Sequence, residues 1–190
     1  QQSGDIREVG YELYQSMLKG AIEKLRTDGA TSKDEQENWS PQIDLNVPVL
    51  IPEKYVTDLN SRLTLYRELA LLRTDCELEH FCERLRDRFG PVPEEINTLI
   101  DLMTIKNLCI VAGIEILKVG ALGLSLSFYK NHFANPNSLM KFIESNKSKI
   151  KVKENMIIIS AVWGNNETKM AKVKKLVQNL AKMAQKKTPS

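Results

Sequence analysis

Two cysteines and a histidine lie close enough in the sequence to raise the question of a metal site. Cys76 and His80 are four residues apart, so on a helix both side chains project from one face. Cys82 projects about 200° away from His80 around the same helix. A structural zinc ion needs three or four converging ligands, and no fourth ligand is evident nearby. We therefore favour packing roles and predict no metal site.

The remaining cysteine and histidine do not indicate catalysis. Cys109 falls in an apolar helical pattern, where a free thiol behaves as a small core residue. His132 follows a strand, and no Ser, Cys or carboxylate stands around it at the spacing of nucleophilic catalysis. We predict no catalytic residue in this chain.

Phosphate binding is also not indicated by the sequence. A phosphate-binding loop requires a Gly-Lys-Ser/Thr step that opens a helix, and no Gly-Lys pair occurs in the chain. Gly120 and Gly123 are better explained by a hairpin turn. The acidic run at 34–37 resembles the acidic box of a nucleic-acid ATPase, but no buried strand precedes it. It is interpreted as a solvated charge run.

The apolar spacing in the first half predicts one strand and several helices. A helix is expected over 9–25, and the alternation of Ile43, Leu45 and Val47 predicts a strand over 42–47 ended by prolines. Three further helices follow. The first has Thr57 or Asp58 as N-cap and an inward stripe of Leu59, Leu63, Tyr66 and Ala70; the second has a Thr74–Glu77 capping box and ends at Gly90; the third begins near Pro93 and ends at Gly113.

Beyond Gly113 the apolar period changes to two, which is typical of strands. Ile114 and Ile116 lead into the glycine turn, and strands over 124–128, 150–153 and 156–161 follow. A short helix begins at Asn135, and a long helix covers 166–186. Because helices and strands do not alternate regularly, we predict an α+β fold, with a small mixed or antiparallel sheet packed against several helices and preceded by a separate N-terminal helix.

Composition sets broad limits on function. The chain has 190 residues, 42% hydrophobic and 27% charged, which is typical of a folded protein. No apolar run is long enough to span a membrane. Three scattered cysteines do not suggest a disulfide framework, so a reducing, cytoplasmic setting is expected. Residues 1–90 carry 12 basic and 17 acidic side chains, whereas residues 91–190 carry 15 and 7.

The basic second half leaves nucleic-acid binding open as an alternative function. On the last helix the lysines at 172, 175, 182 and 186 lie opposite an apolar stripe, where they could contact phosphates. Only Trp163 lies close by as an aromatic side chain on which a base could stack. We favour a simple solvated helix face over a lysine-rich nucleic-acid-binding module.

Several short strings occur together in a specific order. They are YELY at 11–14, NSRLTLYR at 60–67, DRFGPVP at 87–93, KNH at 130–132 and NP at 135–136. In this order they resemble the C-terminal end of the bacterial transcription-repair coupling factors (Mfd), DNA translocases that remove stalled RNA polymerase and recruit excision repair. The resemblance implies that residues 1–26 are the end of the motor domain, 27–41 a flexible linker and 42–187 the C-terminal regulatory (TRCF) domain.

The resemblance also implies a role and partners. In the family this domain is non-catalytic and autoinhibitory: it packs on a module homologous to UvrB, covers the surface that binds UvrA and restrains the motor. RNA polymerase and DNA are partners of the full-length protein, and ATP and Mg²⁺ belong to its motor domains. No cofactor and no membrane contact are expected for this chain.

The family's intramolecular contact involves two carboxylates, three residues apart, on the helix that ends in the Asp-Arg-Phe-Gly motif. Asp87 matches one carboxylate, but Arg84 stands where the other is often glutamate. Glu83 is adjacent but turned by about 100°. We therefore predict partner-binding roles for Asp87, Glu83 and Arg84. Structural roles are predicted for Arg62, Tyr66, Arg88, Phe89 and Gly90, with Arg62 paired to a carboxylate of a neighbouring helix.

Overall fold

The structure is a computed structural model that describes residues 39–47 and 49–186. The predicted helix over 9–25, the motor remnant over 1–26 and the linker before Trp39 lie outside the described residues. Within them the chain forms two compact units. The first comprises residues 49–103, and the second comprises 39–47 and 104–186.

The elements of the described residues confirm the predicted α+β class, with a mixed five-stranded sheet. In chain order they are β1 (Gln42–Asp44), α1 (Leu59–Leu71), α2 (Asp75–Phe89), α3 (Glu94–Ala112), β2 (Ile114–Gly120), β3 (Gly123–Phe128), a 3₁₀ turn (Tyr129–Asn131), α4 (Pro136–Ser145), β4 (Ile150–Lys153), β5 (Met156–Ser160) and α5 (Asn166–Gln185).

Side-chain caps define the ends of the first two helices. The carboxylate of Asp58 accepts from the backbone N–H of Ser61 at 2.7 Å, so Asp58 is the N-cap of α1. Thr74 and Glu77 form the predicted capping box of α2. Gly90 follows the helix with a φ of 88°, a conformation that is accessible to glycine without steric cost. The predicted end of this helix is confirmed.

The inward stripe of α1 differs from the predicted one. Leu65, Tyr66, Leu69 and Ala70 are buried, whereas Leu59 is 55% exposed and Leu63 is only half-buried. Leu59 is the first residue of the helix, and because helical side chains tilt toward the N-terminus, its side chain extends beyond the end of the helix. The predicted stripe was therefore correct only at its C-terminal end.

The first strand is shorter than predicted. β1 ends at Asp44 because the Asp44 carboxylate accepts from the Asn46 N–H at 3.0 Å and Asn46 adopts a φ of 49°. Such a local side-chain turn competes with strand pairing. The strand is therefore ended by Asn46 before either proline. Trp39, in the predicted linker, stacks on Tyr129 with ring centroids 4.8 Å apart.

The strand order is β1-β2-β3-β5-β4, with β1 parallel to β2 and all other pairs antiparallel. A register shift between Ile114 and Ile116 changes which residues face inward along β2. Ile114, Leu117 and Val119 are buried, whereas Ile116 is only half-buried. The simple alternation predicted from Ile114 and Ile116 misses this bulge.

The sheet has one apolar face and one exposed face. Directly paired residues share a face, so Leu124 and Leu126 lie on the same side as their partners Ile159 and Ile157. The other side carries two further cross-strand pairs, Lys151 with Ile158 and Lys153 with Met156. Ile158 is half-buried, and the other three residues are exposed.

Two helices complete the second unit. Asn135 is the N-cap of α4, and its Oδ1 accepts from the Ser138 N–H at 3.1 Å. Asn165 is the N-cap of α5, whose buried stripe is Met170, Val173, Val177, Leu180 and Ala181. The apolar spacing of the sequence predicts the same stripe with Ala184 as its last residue, whereas in the structure Ala181 is buried and Ala184 is only half-buried.

Candidate interaction surface on α2

The α2 helix has a sharply divided surface. Leu78, Phe81 and Leu85 are each at most 2% exposed and form its inner stripe. Opposite that stripe the spacing of 4, 3 and 4 residues aligns four exposed side chains, which we call the α2 ridge: Cys76, His80, Glu83 and Asp87.

Glu83 and Asp87 form the acidic end of the α2 ridge. They are four residues apart on a regular helix, so their carboxylates project from the same face, one turn from each other. Both are exposed, and within the described part of the chain neither forms an ion pair. This end of the ridge can therefore present two carboxylates to a cationic partner.

Arg84 faces a different direction and has a partner within its own unit. Its guanidinium forms an ion pair with the carboxylate of Glu68 on α1, and it lies 5.8 Å from the centroid of the Phe81 ring. The side chains of Arg84 and Glu68 are 57% and 39% exposed. The positive charge of Arg84, next to the ridge, is therefore balanced by the Glu68 carboxylate on α1.

The turn after α2 is held by a tyrosine that the sequence analysis did not single out. The Tyr55 hydroxyl lies 2.9 Å from the Gly90 carbonyl and 3.1 Å from the Leu85 carbonyl, both acceptors at the end of the helix. The rings of Tyr55 and Phe89 are tilted against each other at 5.7 Å, and the Arg88 guanidinium lies 5.0 Å from the Phe89 ring. These contacts fix the end of the helix next to Asp87.

Arg62 and Tyr66 connect α1 to the segment before it. One Arg62 nitrogen donates to the carbonyls of Val56 and Thr57 at 2.8 and 3.2 Å, and the other pairs with Glu53 at 3.2 Å. The expected carboxylate partner thus lies in the turn before α1 and not on a helix. The Tyr66 hydroxyl accepts from the Ile51 N–H at 2.6 Å, and burial raises the pKa of this phenol.

Cys76 and His80 lie on the surface, whereas Cys109 lies in the core. The Cys76 sulfur and His80 Nδ1 are 3.6 Å apart on the exposed ridge. Cys109 is fully buried, and burial raises the pKa of its thiol far above the usual range, so the thiol stays protonated and inert. Within residues 39–47 and 49–186, no three metal-ligating side chains come together.

The surface has features that sequence reasoning missed. Tyr55 and Glu68 belong to no sequence motif. Their partners, Gly90 and Arg84, lie 35 and 16 positions further along the chain. No sequence signal marks such pairs.

Among the described residues, no helix is long and apolar enough to cross a membrane.

Comparison with solved structures identifies the fold. The fold matches a crystal structure of the C-terminal domain of a transcription-repair coupling factor with a TM-score of 0.60, covering 78% of this chain and 97% of that one at 12% identity. In addition, the family model of the TRCF domain matches residues 45–139.

Sequence relatives then identify the family. The transcription-repair-coupling factor of Rickettsia typhi is 38% identical over 168 residues, or 87% of this chain. The Escherichia coli protein of the same name is 28% identical over 144 residues, or 76% of the chain. The chain belongs to the transcription-repair coupling factor family. It spans 15% of the Rickettsia typhi protein and 12% of the Escherichia coli one.

Proposed function

We propose that this chain is a non-catalytic, autoinhibitory interaction domain of a transcription-repair coupling factor. In this role it covers the UvrA-binding surface of a UvrB-homology module in the same polypeptide. It also restrains an ATP-dependent DNA translocase that displaces stalled RNA polymerase. Binding of ATP and Mg²⁺, contact with DNA and contact with RNA polymerase then belong to other parts of the longer protein. The process served is transcription-coupled nucleotide-excision repair of DNA.

The observation that carries this proposal is the pair of exposed carboxylates on the α2 ridge. The family pattern calls for two acids on the helix that ends in Asp-Arg-Phe-Gly, and here one of those positions is Arg84. Glu83 and Asp87, one turn apart, supply two carboxylates on one face of the same helix. Arg84 is paired with Glu68, so it adds little net positive charge beside them.

The physical effect of such a contact is competition. A surface that is covered most of the time has an apparent affinity reduced by the fraction of time it is exposed. Each 1.4 kcal/mol of contact free energy therefore lowers apparent UvrA affinity by about tenfold. Removing one partner of a charge pair that is shielded from water weakens such a contact more than removing one partner of an exposed pair, because the remaining charge is left buried and unpaired.

The test uses the longer protein with three alterations. Deletion of residues 42–190 is expected to raise both UvrA affinity and basal ATPase activity. The double substitution Glu83→Lys with Asp87→Lys should approach the effect of the deletion. The control, Glu144→Lys with Glu154→Lys, makes the same charge change at two exposed positions outside α2 and should leave both quantities unchanged.

Two results of this comparison would contradict the proposal. One is equal UvrA affinity with and without residues 42–190. The other is that the control substitutions raise UvrA affinity and basal ATPase activity as much as the substitutions at 83 and 87 do. In a direct assay, the isolated UvrB-homology module should capture the wild-type chain more strongly than the Asp87→Lys chain. ATP turnover by this chain alone would show that it is not a purely regulatory domain.

A further inference from the structure

A groove in the second unit combines positive charge with an apolar floor. It has a volume of about 880 Å³ and lies between α4, α5 and the β4–β5 edge of the sheet. Among the described residues, its lining contains four lysines, three amides and four apolar residues, and no Asp or Glu. They are Lys149, Lys172, Lys175, Lys182, Asn146, Gln178, Asn179, Phe142, Ile150, Ile159 and Leu176.

Three of the four lysines form one charged wall of this groove, which we call the α4–α5 groove. Lys172, Lys175 and Lys182 follow one another at spacings of three and seven residues, so they project from one side of α5. All four lining lysines are exposed. Within the described residues none forms an ion pair, although Lys172 Nζ also donates to the Val162 carbonyl at 2.8 Å. No ion pair of the described residues therefore neutralises the positive charge of this wall.

The floor of the groove has a different chemistry. Ile150 is buried, while Phe142, Ile159 and Leu176 are half-buried and so still partly exposed to solvent. Covering such surface is favourable by about 25 cal/mol per Å² of apolar area. The amide side chains at 146, 178 and 179 can both donate and accept hydrogen bonds, as peptide groups do.

We propose that the α4–α5 groove docks a peptide segment that carries acidic side chains on both sides of one or two large apolar side chains. The carboxylates pair with the lysines, the apolar side chains cover the floor, and the amides bind the peptide backbone. A nucleic-acid backbone fits less well, because its phosphates use the lysines but leave the floor uncovered. Of the lining residues that the structure describes, only Phe142 has an aromatic ring on which a base could stack.

This inference is independent of the proposed autoinhibition. The groove residues all belong to the second unit, whereas the α2 ridge belongs to the first. Failure of one proposal therefore leaves the other untouched, and the two are separated by different substitutions.

The test uses fluorescence anisotropy with the full 190-residue chain. The probe is the labelled peptide Asp-Glu-Asp-Leu-Phe-Asp-Glu-Asp. In one matched peptide the Leu and Phe are replaced by Ser, and in a second the acids are replaced by Asn and Gln. Single-stranded and duplex DNA are added as competitors. We expect both altered peptides to bind at least about fivefold more weakly than the probe.

The protein variants compare the groove with the opposite face of the sheet. Lys175→Glu with Lys182→Glu reverses two groove charges and should raise the dissociation constant at least about tenfold. Lys151→Glu with Lys153→Glu makes the same charge change on β4. Because these lysines pair with Ile158 and Met156, they lie on the sheet face away from Ile150 and Ile159, and their replacement should change binding less than about twofold. Circular dichroism and thermal melting are the check that both variants fold.

The proposal is overturned if the wild-type chain does not bind the probe, or if the two double variants weaken binding equally. It is also overturned if the Ser-substituted peptide binds as tightly as the probe, since the floor would then contribute nothing. Displacement of the probe by DNA that binds more tightly, and through Lys175 and Lys182, would identify a nucleic-acid interface instead.

Discussion

The Arg84 guanidinium pairs with the Glu68 carboxylate, which joins α2 to α1 on the outer surface of the first unit. Because both side chains are partly exposed, the pair contributes only about 0–1 kcal/mol to folding. Its larger consequence is electrostatic. Glu68 balances a positive charge that would otherwise stand beside the carboxylates of Glu83 and Asp87.

The ion pair therefore predicts opposite effects of its two partners on autoinhibition. Glu68→Gln leaves the Arg84 charge unbalanced and should weaken docking to a basic partner surface, so UvrA affinity of the longer protein should rise about two- to fivefold. Arg84→Gln leaves Glu68 as an added negative charge near the ridge and should lower UvrA affinity. The measurement is UvrA binding by titration.

The stability of the variants is the control for this pair. Each should change the free energy of unfolding by less than about 1 kcal/mol, because the pair is exposed. If Glu68→Gln and Arg84→Gln shift UvrA affinity in the same direction, the electrostatic account is wrong, and general loosening of the α1–α2 pair would explain the effect.

Removing the hydroxyl of Tyr66 should lower the free energy of unfolding more than removing the hydroxyl of Tyr55. Tyr66→Phe leaves the buried Ile51 N–H without this acceptor, which should cost about 1–3 kcal/mol. Tyr55→Phe removes a donor to two carbonyls in a half-buried place, where water can replace it, and should cost about 0.5–1.5 kcal/mol. Urea unfolding measures both values. A larger loss for Tyr55→Phe would contradict the burial argument.

Gly120 ends β2 and Gly123 begins β3, so the two glycines flank the turn of one hairpin. Replacing each by alanine should change the free energy of unfolding by very different amounts. At Gly123, where φ is 151°, a Cβ would lie 2.1 Å from the Ile159 carbonyl oxygen of the paired strand β5, so the backbone must shift. We expect Gly123→Ala to destabilise by about 2–4 kcal/mol. At Gly120 the nearest atom to a Cβ is 3.9 Å away, which is ordinary contact.

Gly120→Ala is therefore the matched control and should change the free energy of unfolding by less than about 1 kcal/mol. Thermal unfolding of the two variants beside the wild type makes the comparison. Equal losses would show that the approach of β3 to β5 does not limit the residue at position 123.

The capping box of α2 predicts a dependence of stability on acid pH. The Glu77 carboxylate accepts from the N–H groups of Arg73 and Thr74 and from the Thr74 hydroxyl, and these bonds hold its pKa below the ordinary value of 4.5. The stabilisation is present above that ordinary value and is lost as the pH falls through the lower, folded-state pKa.

Glu77→Gln should consequently reduce the decline in unfolding free energy below about pH 4.5, measured by urea unfolding at several pH values. The control, Glu79→Gln, removes a carboxylate of the same helix that forms no ion pair within the described residues, and it should keep the wild-type decline. A decline that Glu77→Gln leaves unchanged would contradict the assigned role of the box.

Much of the fold could be predicted because it depends on local rules. The capping box at Thr74, the glycine end at Gly90 and the hairpin between Gly120 and Gly123 each arise from residues a few positions apart. The family strings then predicted the class of domain. The errors, at the end of β1 and the bulge in β2, lie where a single residue changes the local conformation without changing the apolar pattern.

The amino-acid sequence alone determined most of the described helices and strands and the α+β class, because capping and periodicity act over short distances. Only the tertiary structure decided that Arg84 is neutralised by Glu68, that Tyr55 holds the end of α2, and that the lysines of α5 line a groove with an apolar floor. These relationships join residues far apart in the chain. They follow from packing, which no local pattern of residues encodes.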